Sequence, residues 1–345
     1  MQCEITPIVK SNIMKMTVLI AAAACMVLCG CKQKNEPASG QEPQEGATVY
    51  MTTEISPEAL VKIYEALGVK AEGRVAVKIS SGEGGNKHYL QPSLISDLVK
   101  HVNGTLVECN TAYAGTRLST ADHWQTIREH GFLDIAPFDI MDEEGDIQIP
   151  VRDTTFMKYN RVGSHIQNYD WMINLAHFKG HQMGGFGGVL KNASIGVAST
   201  AGKLYIHTAG HYEDPTKVDE AWAYVGSDVQ QDHFLECMAT AATAVHDYMK
   251  GKVLYINVMN NMSIDCDCNG APAAPELKDM GILASTDPVA LDQACYDLVH
   301  QHKSVEGDNA QPLIDRMAEM HGVHTIEHAE KIGLGSRKYQ IVSID

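Results

Sequence analysis

Residues 74–109 read RVAVKISSGEGGNKHYLQPSLISDLVKHVNGTLVEC. Two short runs rich in β-branched residues, Arg74–Ile79 and Thr105–Cys109, enclose a glycine-rich loop (Ser80–Lys87) and the segment Pro92–His101. In that segment Leu94, Ile95, Leu98 and Val99 recur at helical spacing. Proline stands near its start and Gly104 follows its end, which is the punctuation of a helix. A strand–helix–strand unit of this kind builds a parallel sheet, because the chain must cross back before the next strand can run the same way.

Outward from this unit the alternation continues. Ser119 or Thr120 caps a helix reaching about His130. Phe132–Phe138 reads as a strand, Asp146–Val151 as an alternating one and Trp171–Ala176 as a buried one. In the second half His233–Met249 reads as a helix stopped by Gly251, Lys252–Val258 as an apolar strand and Gly281–Ser285 as a short strand. Asp287-Pro288 opens a helix with Val289, Leu291, Ala294, Cys295 and Leu298 on one face. Gln311–Met320 is a further helix and Tyr339–Ile344 a last strand. The expected fold class is α/β, with a mostly parallel, doubly wound sheet or sheets and helices on both faces. The domain is expected over 51–345, with a division into lobes of about 51–210 and 211–345 left open.

The N-terminus asks for separate treatment. Lys10 and Lys15 precede an apolar run, Thr17–Leu28, too short for a bilayer span but suited to a signal sequence. It ends Leu28-Cys29-Gly30-Cys31, which resembles a bacterial lipobox with Cys31 as the lipidated residue. Residues 32–50 then read as a tether. The expectation is a lipoprotein of the bacterial cell envelope, held to the membrane through its lipid alone. The chain carries a net charge of −16, and residues 1–30, with one acidic and two basic side chains, leave −17 beyond them. Such a balance argues against nucleic acid as a partner and against adhesion to anionic lipid. Five cysteines follow Cys31 in an odd, scattered set that makes no disulfide framework.

Ligands of parallel sheets sit beyond the carboxyl ends of the strands. Four segments leave a strand into a polar or glycine-rich loop: Ser80–Asn86, Cys109–Tyr113, the stretch from His177 and Asn260–Cys268. They are expected to converge on one crevice, with Lys78, Asn110 and Asn261 beside it. The third is the densest in chemistry, with His177, Lys179, His181, Gly184, Gly185, Gly187, Gly188, Lys191 and Asn192, then Lys203, His207 and His211. Imidazole is the commonest metal ligand, so His177, His181 and His207 are candidate ligands for a divalent transition metal. The glycine loop lacks both nucleotide fingerprints. It reads either as a close-approach loop, whose amides hold an anion with Lys179 or Lys191, or as a sharp turn packed on its neighbours. Lys191, Cys109 and Asp265 are candidates for catalytic roles. Asp265-Cys266-Asp267-Cys268 reads as a chelating pair of thiols or as a tight acidic turn.

Four pieces, HFKGHQMGGFGGVLKNASIG (177–196), STAGKLYIH (199–207), YINVMNNMSIDCDC (255–268) and GILASTDPVALDQACYDLV (281–299), resemble the bacterial and archaeal domain of unknown function 362 family. Its members are often described as uncharacterised Fe–S-centre proteins, so the resemblance implies no settled activity. Many insert a ferredoxin-like module after the stretch matching His207. Here 214–234 contains no cysteine, and a [4Fe–4S] cluster is not expected. The order His177, Lys191, His207 is also similar to the His/Lys/His set with which nickel-pincer lactate racemases hold their cofactor, although the intervening sequence does not match. The functional expectation is a crevice site for a small anionic substrate, worked with a metal's help. The alternatives are a non-catalytic metal- or metabolite-binding lipoprotein and a redox partner that has lost its Fe–S module.

Overall fold

The computed structural model describes residues 46–345. The signal-type segment, Cys31 and the tether as far as residue 45 lie outside the described residues. In chain order the strands are β1 (Ala47–Thr52), β2 (Val75–Lys78), β3 (Gly104–Glu108), β4 (Phe138–Ile140), β5 (Asp146–Ile149) and β6 (Asn160–Gly163). They continue with β7 (Trp171–His177), β8 (Lys179–His181), β9 (Gly185–Gly187), β10 (Val253–Met259), β11 (Gly281–Ser285) and β12 (Tyr339–Ser343). Eight of them form one sheet in the order β12, β1, β11, β10, β7, β2, β3, β4. β11 alone runs antiparallel to both its neighbours; every other pairing in the sheet is parallel. β5 with β6 and β8 with β9 make small antiparallel pairs.

Period-two alternation sorts the strand side chains into two cores. Val75, Val77, Ile173, Leu175, Leu254, Ile256 and Val258 face α1 (Pro57–Ala66), α2 (Pro92–His101) and α3 (Thr120–Glu129). Ala76, Met172, Ala176, Val253, Tyr255 and Met259 face the opposite way. On that side, in chain order, lie α4 (Val189–Ser194), α5 (Thr200–His207), α6 (Val218–Ser227), α7 (Gln231–Tyr248), α8 (Pro288–Gln301), α9 (Gln311–Glu319) and α10 (Val323–Lys331), with α5 and α6 building satellite clusters. Helices on both faces of a mostly parallel sheet make this an α/β fold. Each large aliphatic side chain fully buried here contributes roughly 1.5–3 kcal/mol. Every residue of β10 is buried, which is why that segment reads as a continuous apolar run.

Three sequence expectations differ from the structure. The tether expected to reach residue 50 ends earlier, because Ala47–Thr52 is β1, paired with β11 and β12. Its partners lie more than two hundred residues away, so no hairpin signal marks it. Phe132–Phe138 is not one strand: Phe132–Asp134 is a 3-10 turn entered through Gly131 at φ +80°, and β4 begins only after Pro137, which has no N–H for a ladder. Finally, β10, β11 and β12 hydrogen-bond within the same sheet as β1, β2, β3, β4 and β7, so the division near residue 210, left open by the sequence, would run through one continuous sheet. Among the described residues no helix is long and apolar enough to cross a membrane.

Candidate functional site: a cationic cavity at the carboxyl edge of the sheet

The face of the sheet toward α4 carries three buried polar side chains in otherwise apolar strands, Lys78, Asn174 and Asn257. They position α4. Asp292 of α8 accepts from the backbone N–H groups of Val189 and Leu190, 2.9 Å each, and from Asn257 Nδ2 at 2.8 Å. A carboxylate thus caps the start of α4 from another helix, satisfying amides that the helix itself cannot. Gly188 is required there, since a Cβ would stand 2.2 Å from Asp292 Oδ1. Asn174 Nδ2 donates to Val189 O at 2.9 Å, and Asn192 Nδ2 donates to Asn174 Oδ1 at 2.7 Å. Lys78 Nζ donates to Asn192 Oδ1 at 3.1 Å and to the carbonyl of Ile79.

Beyond this scaffold lies a cavity of about 660 Å³. All four loops named from the sequence contribute to its wall, through Ser80, Thr111, His181 and Cys268 among others. Three further parts complete it. On α5, capped by Ser199, Lys203 and His207 stand four residues apart on one face. Arg117, from the loop after β3, bonds Glu108 Oε1 at 2.8 Å, Glu83 Oε2 at 3.3 Å and Tyr113 Oη at 2.9 Å. Trp222 of α6 closes the side next to His207, with ring centroids 5.1 Å apart.

The electrostatics are lopsided. Arg117 is neutralised by Glu108 and Glu83. Lys78, Lys191 and Lys203 make no ion pair among the described residues: Lys203 Nζ donates to Ala198 O at 2.5 Å, and Lys191 Nζ has no hydrogen-bond partner. Burial lowers all three amines. It brings Lys78 down to about 8, with Glu108 pulling the other way. It brings Lys191 down to about 7, helped by the charge of Lys179. Lys203 is lowered by burial against the pull of Cys109 and Asp142. Glu108, by contrast, sits well below the usual carboxylate range: burial would raise it, but Arg117 and the hydrogen bond from His123 outweigh burial.

The sequence candidates divide. Lys78, Lys191, Asn192, His181, His207 and Cys109 all border the cavity. His177 does not, and both its ring nitrogens are taken, Nδ1 by Asp267 Oδ1 at 2.9 Å and Nε2 by Asn260 O at 2.6 Å. Among the described residues His177, His181 and His207 form no group that could hold one ion. The expected three-histidine metal set is therefore not assembled. His177 is also turned away from the cavity that Lys191 and His207 border, so the three residues of that order do not share one site. Two clusters do gather among the described residues: Asp139, Glu143 and His165, none of which borders the cavity, and His181, Cys266 and Cys268, with one ligand atom each within 4.8 Å, but the two sulfurs are joined as a disulfide.

Lys179 is spent on Asp267 (2.7 Å) and on His177 O (2.9 Å). The Cys109 thiol donates to Val197 O at 3.2 Å, and burial pushes its pKa up, so it is no ready thiolate. Asp265 pairs with Arg316 at 3.1 Å, and Asn110 bonds Thr120 and His123; neither borders the cavity. Asn261 takes φ +47° and its N–H bonds Asp279, which makes it a turn residue. The glycines Gly184, Gly185, Gly187 and Gly188 are absent from the wall. Gly185, at φ +77°, lets the backbone approach Gly322, where a Cβ would meet Cα at 2.9 Å. Of the two readings of the glycine loop, the structure displays the packed turn.

Sequence reasoning noted Lys203 without assigning it and missed Arg117 and Trp222. Trp222 lies in the stretch read only for its lack of cysteine. Arg117 lies in a polar loop with no periodicity to single it out.

Residues 75–297 match the family model described as Domain of unknown function (DUF362). The chain belongs to this family. No curated protein matches it. Among solved structures, the DUF362 chain is similar to the lactate racemase apoprotein from Thermoanaerobacterium thermosaccharolyticum, at 13% identity and a TM-score of 0.36 over 61% of this chain and 50% of that one. It is also similar to a protein from Thermotoga maritima, at 13% identity and a TM-score of 0.38 over 72% of this chain and 59% of that one. The DUF362 chain thus spans half to three fifths of the length of these two structures.

Proposed function

We propose that this protein binds a small, multiply charged anion in the cavity and acts on it with Lys191. The observation that carries the reading is three lysines around one cavity with no carboxylate partner among the described residues, in a chain of net charge −16. Burying cations without a paired carboxylate costs free energy, and an anionic ligand offsets that cost. A protein that only captured anions would be served best by fully charged lysines. An amine brought to about 7 is partly neutral at neutral pH and can accept a proton or attack a carbonyl, which favours catalysis.

Sulfate is a suitable first probe because its charge does not change near neutral pH. It should raise the melting temperature, and its affinity should fall on the order of tenfold from about pH 6 to about pH 8. The sign follows from Lys191: below its lowered pKa the amine is positive and attracts the anion, and above it that attraction is gone. A pH-independent affinity in a calorimetric titration would rule out Lys191 as the titrating contact.

We also propose that the mature chain starts at Cys31 with lipid on its sulfur and resides in the bacterial cell envelope. The run Thr17–Leu28 followed by Leu28-Cys29-Gly30-Cys31 supports this. Mass spectrometry of protein from its native host should find a lipid-modified Cys31 at the N-terminus; an unmodified chain that keeps residues 1–30 would refute it.

A further inference from the structure

We propose that the cavity selects an anion carrying its own O–H group, with His207 accepting the ligand's hydrogen and His181 donating to its charged oxygen. This deepens the anion reading and rests on it. His181 Nδ1 faces two backbone donors, Gly184 N–H at 2.9 Å and Met183 N–H at 3.2 Å, so that nitrogen holds a lone pair. The neutral ring must then carry its hydrogen on Nε2. His207 is wired the opposite way. Its Nδ1 lies 2.7 Å from the carbonyl oxygen of Lys203, which can only accept, so Nδ1 carries the hydrogen and Nε2 the lone pair. Turning either ring over would set a C–H against these groups, so the backbone decides both orientations.

Both rings border the cavity, and both feel the charge of Lys191. Neither Nε2 has a hydrogen-bond partner among the described residues, and neither is among the polar atoms sealed from both protein and solvent. Burial holds both imidazoles neutral: His181 lies well below its usual range, and His207 is lowered to about 4, stacked on Phe234 with centroids 4.9 Å apart. Two carboxylates border the same cavity, Asp219, which is exposed to solvent, and Glu108, both of whose oxygens are already engaged. Its Oε1 takes Arg117, and its Oε2 takes the N–H and hydroxyl of Ser81 and the His123 ring. An anion without a hydrogen to offer turns oxygen lone pairs toward the His207 lone pair. A site built around a hydrogen bond rejects a ligand that cannot make it far more strongly than an apolar pocket rejects a misfit.

Phosphate and sulfate separate the cases. They are similar in size, but at about pH 7 every form of phosphate carries an O–H and sulfate carries none. Calorimetric titration of the full chain, at matched ionic strength, should show phosphate binding at least about tenfold tighter than sulfate. His207→Phe keeps an aromatic ring against Phe234 and Trp222 but has no lone pair. It should lose the preference, because phosphate loses its acceptor while sulfate binds at least as tightly as before, and that sulfate binding also reports an intact fold. Imidazole ¹⁵N shifts of the wild-type protein should show hydrogen on Nε2 of His181 and on Nδ1 of His207; with the wild-type affinity ratio they decide the matter even if His207→Phe fails to fold. Equal affinities in the wild type, a preference that survives in His207→Phe, or the reverse tautomers would overturn the inference and leave the anion site standing. Failure of both anions to bind would instead overturn the anion reading itself.

Discussion

Lys191→Met is expected to make the ligand-free protein more stable and to abolish its stabilisation by anions. Lys191 is half-buried, without a hydrogen-bond partner among the described residues, and feels the charges of Lys179, Lys78 and Arg117 against that of Asp267. Methionine keeps the length of the side chain and removes the charge. Replacing poorly compensated buried charge by apolar volume stabilises by about 1–4 kcal/mol. The lower half of that range applies here, because the amine borders an open cavity. A second signature comes from pH. Lys191 is lowered from 10.5 to about 7 in the folded state, so between those values the unfolded chain binds more protons and wild-type stability rises with pH. In Lys191→Met that contribution to the slope disappears. At a sulfate concentration of about 100 times Kd the wild type should gain about 2.7 kcal/mol, and the variant nothing measurable. Urea unfolding at several pH values, with and without sulfate, measures all three effects. A variant less stable than the wild type, or one still stabilised by sulfate, would mean that Lys191 is a packing residue.

Asp292→Ala should produce the largest loss of stability among single changes near the site. Its carboxylate is fully buried and accepts three hydrogen bonds, two from the first turn of α4 and one from Asn257. Truncation leaves two backbone donors and an amide facing a void. Losing one partner of such a buried charged network costs about 3–5 kcal/mol. Because α4 carries both Lys191 and Asn192, the same change should also weaken sulfate binding, although Asp292 does not border the cavity. Burial raises Asp292 to about 6, against the pull of Asn257 and the two amides. The folded state therefore binds the proton more readily than the unfolded chain, and this group's contribution to stability declines as pH rises from about 4 to about 6. Equilibrium denaturation with an unchanged m-value would assign the loss to the native contacts. A cost below about 1 kcal/mol would show that water can replace the cap.

The two expectations meet in the short segment Gly188–Asn192, where the sequence was both legible and misleading. Glycines in a row beside lysine looked like a ligand loop. Gly185 and Gly188 instead admit Gly322 and Asp292, so a tight packing contact produces the same residues as a phosphate loop would. Histidine spacing misled for a related reason. His177 ends β7 and His181 ends β8, and the strand turn between them sends one ring to Asp267 and the other to the cavity. Separation along the chain carries no information about direction once the backbone turns.

Sequence alone determined the alternation of strands and helices, most of their boundaries and the edge of the sheet where loops would gather. Gly281–Ser285 and the Asp287-capped helix were read as they stand, because burial on both faces, proline at a first turn and an acidic cap are local and leave local marks. Tertiary structure alone decided which polar side chains share the cavity. Arg117 reaches it from an irregular loop, Trp222 from α6, and Glu83 and Glu108 pair with the arginine but not with the lysines. It also decided which nitrogen of each imidazole carries hydrogen, since that depends on the backbone groups a folded chain sets against each ring. Periodicity records which face of an element is buried; charge balance and tautomer depend on what lies across the gap, and the chain specifies that only by folding.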